Sequence, residues 1–227
     1  MNNLNTEVVG ECNPSCQETP QDQLQSILLF PSMVYVVDKP EFLEDAKETA
    51  DWYLKKSPRQ AERDEIYPII QTDTMQEDPR IRGLTEYILN TSWNILESQG
   101  YMMDNLITIM HAMWCQDHGQ TSGQEKHVHG MTSQLSGFYF LEVPNESSVA
   151  TFHDPRPAKE YADLPEKSIQ DMTYASRAYH LLPKPGLLVF SNSWLPHSFE
   201  RNRSKENFKF LHFNVGVSSV MLPPNRK

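Results

Sequence analysis

Apolar residues recur every three or four positions in the first part of the chain. From residue 104 onward they alternate with polar ones or gather in short blocks. Leu43, Ala46, Ala50 and Tyr53 share one face at helical spacing. Pro40 stands in the first turn, Glu41, Glu44 and Asp45 lie near the N-terminal end, and Lys55 and Lys56 lie near the C-terminal end. Charges ordered this way complement the helix dipole, and the segment predicts a helix over residues 40–56. Ile81, Leu84, Ile88 and Ile95 predict a second helix over 78–98, with Gly100 where a C-terminal cap belongs. Residues 27–37 read as a strand interrupted at Pro31. Residues 57–78 are polar and irregular around a short apolar centre, Tyr67, Pro68, Ile69 and Ile70. Strands are expected over 105–115, 135–143, 149–153, 178–182, 186–191, 197–201 and 207–217, separated by Pro, Gly, Asn and Ser. Short strands following two helices predict a mainly β fold, a sandwich or jelly roll with the helices packed on one face. Residues 1–24 read as a disordered or loosely packed tail, and 25–227 as a single domain.

Composition narrows the function. The net charge of −10 argues against phosphate-backbone binding, which draws its affinity from Lys and Arg. No run of eighteen apolar residues is present, so no transmembrane helix is expected, and the N-terminus shows no secretory signal. Three cysteines, Cys12, Cys16 and Cys115, are too few for a disulfide framework. Read as reduced thiols, they imply a reducing, cytoplasmic compartment.

The candidate chemistry is in the histidines. On a strand, His127-Val128-His129 would point two imidazoles to one face. His197 lies 68 residues after His129, past a Pro185-Gly186 turn and the apolar run Leu187-Leu188-Val189-Phe190. Three converging imidazoles can hold a divalent transition metal and leave coordination positions open. His111, His118, His153 and His180 have no comparable spacing. Residues 118–124 read as a mobile loop before the first ligand. Residues 157–177, with Glu160, Tyr161, Asp163, Glu166 and Asp171, read as a long insertion that can shape substrate access.

Taken with Leu29-Phe30-Pro31, Met113-Trp114-Cys115, the segment Leu135-Ser136-Gly137-Phe138-Tyr139-Phe140-Leu141, Asp154-Pro155-Arg156, Trp194-Leu195-Pro196-His197 and Phe213-Asn214, the chain resembles the 2-oxoglutarate- and Fe(II)-dependent oxygenases. It looks most like their poorly characterised bacterial and phage subgroup. The resemblance spans roughly residues 27–217 and implies a double-stranded β-helix.

It also implies a facial triad with His127 first, position 129 second and His197 third. The superfamily usually has Asp or Glu at the second position, where this chain has His129. Either the centre is built of three imidazoles, the preferred reading, or Asp154 supplies a carboxylate from a neighbouring strand. The resemblance further implies 2-oxoglutarate as co-substrate, its distal carboxylate held by a buried cation. Lys209, twelve residues after His197, is the candidate, with Arg201 and Arg203 as fallbacks and Ser136 and Tyr139 as added hydroxyl donors. His212 has the opposite strand parity to Lys209 and reads as non-catalytic; Trp114 reads as pocket wall or core. The expected activity is that of a non-haem Fe(II)- and 2-oxoglutarate-dependent dioxygenase, a hydroxylase of an unidentified substrate. Two alternatives remain. A cupin-type dioxygenase or isomerase would work without 2-oxoglutarate, although Ser133 and Gln134 stand where cupins carry Glu. A non-catalytic jelly-roll binding module would use its histidines structurally.

Overall fold

Strands buried on both faces set the layers of this protein. Its computed structural model describes residues 25–57, 68–130, 132–161 and 164–220. The expected 1–24 tail with Cys12 and Cys16, together with Tyr67 and Asp163, lies outside the described residues. The chain divides into two compact units, 1–31 and 32–227. In the first, residues 25–31 hold no helix or strand, so the strand expected over 27–37 forms only past Pro31. In the second, the elements are β1 (Val34–Asp38), α1 (Leu43–Lys56), β2 (Ile69–Gln71), α2 (Arg82–Ser98), β3 (Leu106–His118), β4 (Gln124–His127), β5 (Ser133–Glu142), β6 (Ala150–His153), β7 (Ala178–Leu181), β8 (Leu187–Asn192), β9 (His197–Phe199) and β10 (Phe208–Ser219).

Each helix is entered through a short 3-10 turn carrying a proline, Pro40 before α1 and Pro79 before α2. Pro lacks the N–H that a helix start leaves unpaired, so it costs nothing there. The strands form two antiparallel sheets, six-stranded in the order β1-β8-β5-β10-β3-β2 and four-stranded in the order β4-β9-β6-β7. This is the expected jelly roll with two flanking helices.

The larger sheet has two buried faces. On one side Leu135, Tyr139, Leu188, Phe190, Leu211, Phe213 and Val215 pack with Ala46, Ala50 and Leu54 of α1 and Leu84, Ile88 and Ile95 of α2. On the other, Phe138, Phe140, Val189, Phe208 and Phe210 meet Ala150, Phe152, Leu181 and Phe199 of the smaller sheet. Phe138 is edge-on to Phe199 at 5.0 Å, and Phe199 stacks on Phe210 at 4.6 Å. Such aromatic pairs add to the gain from burial itself and lock the two sheets together.

Alternation along β10 sorts its side chains between these layers. Phe208, Phe210 and His212 face the smaller sheet; Lys209, Leu211 and Phe213 face the helices. The co-substrate role expected of Lys209 is therefore corrected. Its ammonium binds Asp51 of α1 at 3.1 Å and Glu142 of β5 at 3.3 Å, on the side of the sheet away from the histidines. Burial alone would lower its pKa, but the two carboxylates reverse this and raise it. Tyr139 is corrected for the same reason: it packs in the helix-side core, and its hydroxyl donates to the Lys39 carbonyl at 2.6 Å.

Two glycines are dictated by geometry. Lys184-Pro185-Gly186-Leu187 closes with Leu187 N–H donating to the Lys184 carbonyl, and Gly186 has φ +78. That is a type II turn, with Pro and Gly at its two central positions. At Gly137, in central strand β5, a Cβ would sit 2.1 Å from the Val189 carbonyl oxygen and 2.3 Å from Phe213 Cζ. Gly137→Ala should lower unfolding free energy by about 1–3 kcal/mol, read from urea denaturation; an unchanged midpoint would contradict this packing. Lys209→Met should cost about 1 kcal/mol of stability, the scale of a partly exposed ion pair, and leave Fe(II) and 2-oxoglutarate affinity at wild-type values. Lost co-substrate affinity at unchanged stability would put Lys209 back in the site.

Candidate metal centre

The sheet register assembles the histidines. His127 ends β4 and lies opposite His197, the first residue of β9. His127 is thus on a strand, but His129 lies beyond its end, in a segment tied down by the His129 N–H donating to the Ser193 carbonyl at 2.8 Å. The loop expected over 118–124 is partly strand: β3 runs through His118 and β4 starts at Gln124.

His127, His129 and His197 each offer one ring nitrogen, and the three nitrogens lie within 4.8 Å of one another. Backbone carbonyls orient two of the rings. Nδ1 of His127 is 2.7 Å from the Glu125 carbonyl, and Nδ1 of His197 is 3.1 Å from the Leu195 carbonyl. If Nδ1 donates in each, the Nε2 lone pairs point away from the backbone, the arrangement found around metal-ligating histidines. Nε2 of His127 is buried and has no hydrogen-bond partner. A buried nitrogen aimed at two other imidazoles fits a metal ligand, and an all-imidazole donor set suits iron among other divalent transition metals.

Burial, with the neighbouring imidazoles adding to it, lowers the pKa of His129 to about 4 and of His197 to about 3. Both rings are therefore neutral near pH 7, the form in which imidazole binds a metal.

Asp154 is not brought into this group. Its carboxylate accepts from the Arg156 backbone N–H, Nε and guanidinium NH2 at 2.6–2.9 Å, and this arginine holds its pKa below the usual range. Asp154 is thus engaged in a local ion pair and is not among the residues that offer converging ligand atoms, so the alternative in which it supplies a carboxylate has no support in its position. Arg201 donates to the Thr121 carbonyl and lies 3.9 Å from Glu125.

A fourth histidine does join the cluster. His212 of β10 is buried, its Nε2 is 3.1 Å from His129 Nε2, and its ring stacks on Trp114 at 4.4 Å. Burial, reinforced by the other three histidines, drives its pKa well below 6.5. The sequence reads His212 as non-catalytic; the structure brings its ring into contact with His129. The parity argument correctly put Lys209 and His212 on opposite faces but took the wrong one as inward. Trp114 and Ser136 share the inward face with His212, since directly paired residues of antiparallel strands point the same way.

Residues 112–214 match the family model described as "Putative 2OG-Fe(II) oxygenase". No curated protein matches the sequence. Among solved structures the fold is similar to AviO1 from Streptomyces viridochromogenes Tue57, at 10% identity and TM-score 0.58 over 85% of this chain and 92% of that one. It is also similar to a 2OG-Fe(II) oxygenase family oxidoreductase from Burkholderia pseudomallei, at 11% identity and TM-score 0.51 over 81% and 84%. The viral collagen prolyl hydroxylase of Paramecium Bursaria Chlorella virus-1, solved with 2OG, matches at 13% identity and TM-score 0.51 over 80% and 94%. The family match lies across β3 to β10, where the histidines gather, and spans somewhat under half of the chain; over that stretch the chain is similar to the 2-oxoglutarate- and Fe(II)-dependent oxygenases, oxidoreductases that use Fe(II) with 2-oxoglutarate and O2.

Proposed function

We propose that this protein is a 2-oxoglutarate- and Fe(II)-dependent oxygenase that hydroxylates a C–H bond of its substrate, with Fe(II) held by His127, His129 and His197. Iron bound with 2-oxoglutarate and O2 supplies the oxidising power, and the co-substrate leaves as succinate and CO2. The observation that carries the ligand assignment is the convergence of three imidazole nitrogens, with Nε2 of His127 buried and unpartnered.

The protein's own part is positional. The Glu125 and Leu195 carbonyls hold the rings of His127 and His197 in fixed orientations. Phe138 and Phe152 pack edge-on or tilted against His197 at 5.3 Å and 6.1 Å, giving the centre an apolar wall that excludes water. Val128, between two of the ligands, and Trp194, three residues before the third, are both exposed and offer apolar surface to an arriving substrate. The chemistry that bound iron would supply asks for no side-chain base, so the part left to the protein is to hold the metal and shape the site. No helix among the described residues is long and apolar enough to cross a membrane.

The test is anaerobic titration with Fe(II) and then 2-oxoglutarate. One equivalent of iron should bind, a visible charge-transfer band should appear on adding the 2-oxo acid, and admitting air should release succinate. Iron binding without the band would remove the 2-oxoglutarate reading and favour a cupin-like activity. His197→Ala should abolish stoichiometric iron binding while the protein stays folded by circular dichroism; wild-type affinity in that variant would contradict the ligand set.

A further inference from the structure

One polar row next to the metal centre carries buried side-chain atoms with no hydrogen-bond partner among the described residues. Ser136 of β5 pairs with Ser191 of β8 on one side and Asn214 of β10 on the other. All three share the inward face with Phe138 and His212. Both serines are 0% exposed. The hydroxyls of Ser136 and Ser191 and the side-chain oxygen of Asn214 are buried without a hydrogen-bond partner. Trp114, opposite His212 in the next row, also has its indole N–H buried and unpaired. Buried polar groups in folded proteins are normally satisfied, so several orphans on one patch mark a place where a ligand or water completes the bonding.

The patch lies beside the histidine cluster on the same face of the sheet. It is one row along the sheet from His212, two residues or about 7 Å, and His212 touches His129. A five-carbon 2-oxo diacid chelating the metal through its oxo acid end would span a gap of that order. The side-chain inventory also fits a carboxylate. Two hydroxyls and one indole N–H can donate to it, and the Asn214 amide presents its NH2 after a half-turn. The expected cation is missing: among the described residues no Lys or Arg lies at an inward position of the six-stranded sheet, and Lys209 is held by Asp51 and Glu142 on the other face.

Resting on the proposed function, we infer that Ser136, Ser191 and Trp114 hold the distal carboxylate of 2-oxoglutarate, so that neutral hydrogen-bond donors replace the buried cation. A carboxylate can be stabilised by several N–H or O–H donors without a counter-charge. Anchoring of this kind depends on geometry more than charge, so selectivity for the five-carbon diacid comes from the donor positions.

The test compares 2-oxoglutarate with 2-oxobutyrate, which keeps the chelating end and lacks the distal carboxylate. Both are titrated into the Fe(II)-loaded protein under argon and followed by the charge-transfer band. The wild type should prefer 2-oxoglutarate. Ser136→Ala, Ser191→Ala and Trp114→Phe should each weaken 2-oxoglutarate about tenfold or more and leave 2-oxobutyrate and Fe(II) affinity unchanged. Trp114→Phe keeps an aromatic ring against His212, so it separates the lost N–H from lost packing. If the band forms and all three variants keep the wild-type ratio, the donor row is not the anchor and waters satisfy it, while the oxygenase reading stands. If iron binds and neither acid gives a band, the oxygenase reading fails and this proposal with it.

Discussion

The short β4–β9 pairing is the constraint on which the site depends. It sets His127 directly across from His197, seventy residues away in sequence, and the continuation of β4 then carries His129 to the same place. Neither strand is long enough to be stable alone, at four and three residues. They hold because β9 also pairs with β6, and because Phe152 and Phe199 on this small sheet bury themselves against Phe138 and Phe210 of the large one. The histidines are therefore positioned by an aromatic core rather than by local hydrogen bonding. Only the last step of orientation, the Nδ1 contacts to Glu125 and Leu195, is local.

The large sheet works as a partition. One face is covered by α1 and α2, the other looks into the barrel, and every central strand has to satisfy both. This explains why Lys209 can lie in a central strand: two carboxylates meet it on the helix side, where Asp51 and Glu142 remain partly solvated. It also explains the neutrality of the barrel interior. Buried imidazoles in contact with one another resist protonation, and burial with the neighbouring rings holds His129 and His197 uncharged. An uncharged pocket lined by Phe rings and unpaired hydroxyls is a different environment from one organised around a salt bridge.

Much of this was legible in the residues. Period changes located both helices, and the strands from β5 onward formed within a few residues of their expected ends. His-x-His and the distant His197 were visible as a constellation because ligand type and turn chemistry are local signals. The inward face of β10 was not legible. Phe208, Lys209, Phe210, Leu211, His212 and Phe213 give no clean alternation when both faces of a strand are buried, so parity separates Lys209 from His212 without saying which points inward. β2 and β4 were hidden for a related reason. Both are short, β2 only Ile69-Ile70-Gln71 and β4 the polar Gln124–His127, and each exists by pairing with one neighbour, β3 or β9. The Asp51 and Glu142 partners of Lys209 come from distant elements, and no spacing rule connects them.

Imidazoles alone, without a protein carboxylate, should make up the protein's share of the metal centre. X-ray absorption at the iron edge of the Fe(II)-loaded protein, before any 2-oxo acid is added, tests this most directly. The spectrum should show the outer-shell scattering of three imidazole rings, with water completing the coordination sphere. A best fit with two imidazoles and a carboxylate would contradict it and return the second ligand to an acidic residue.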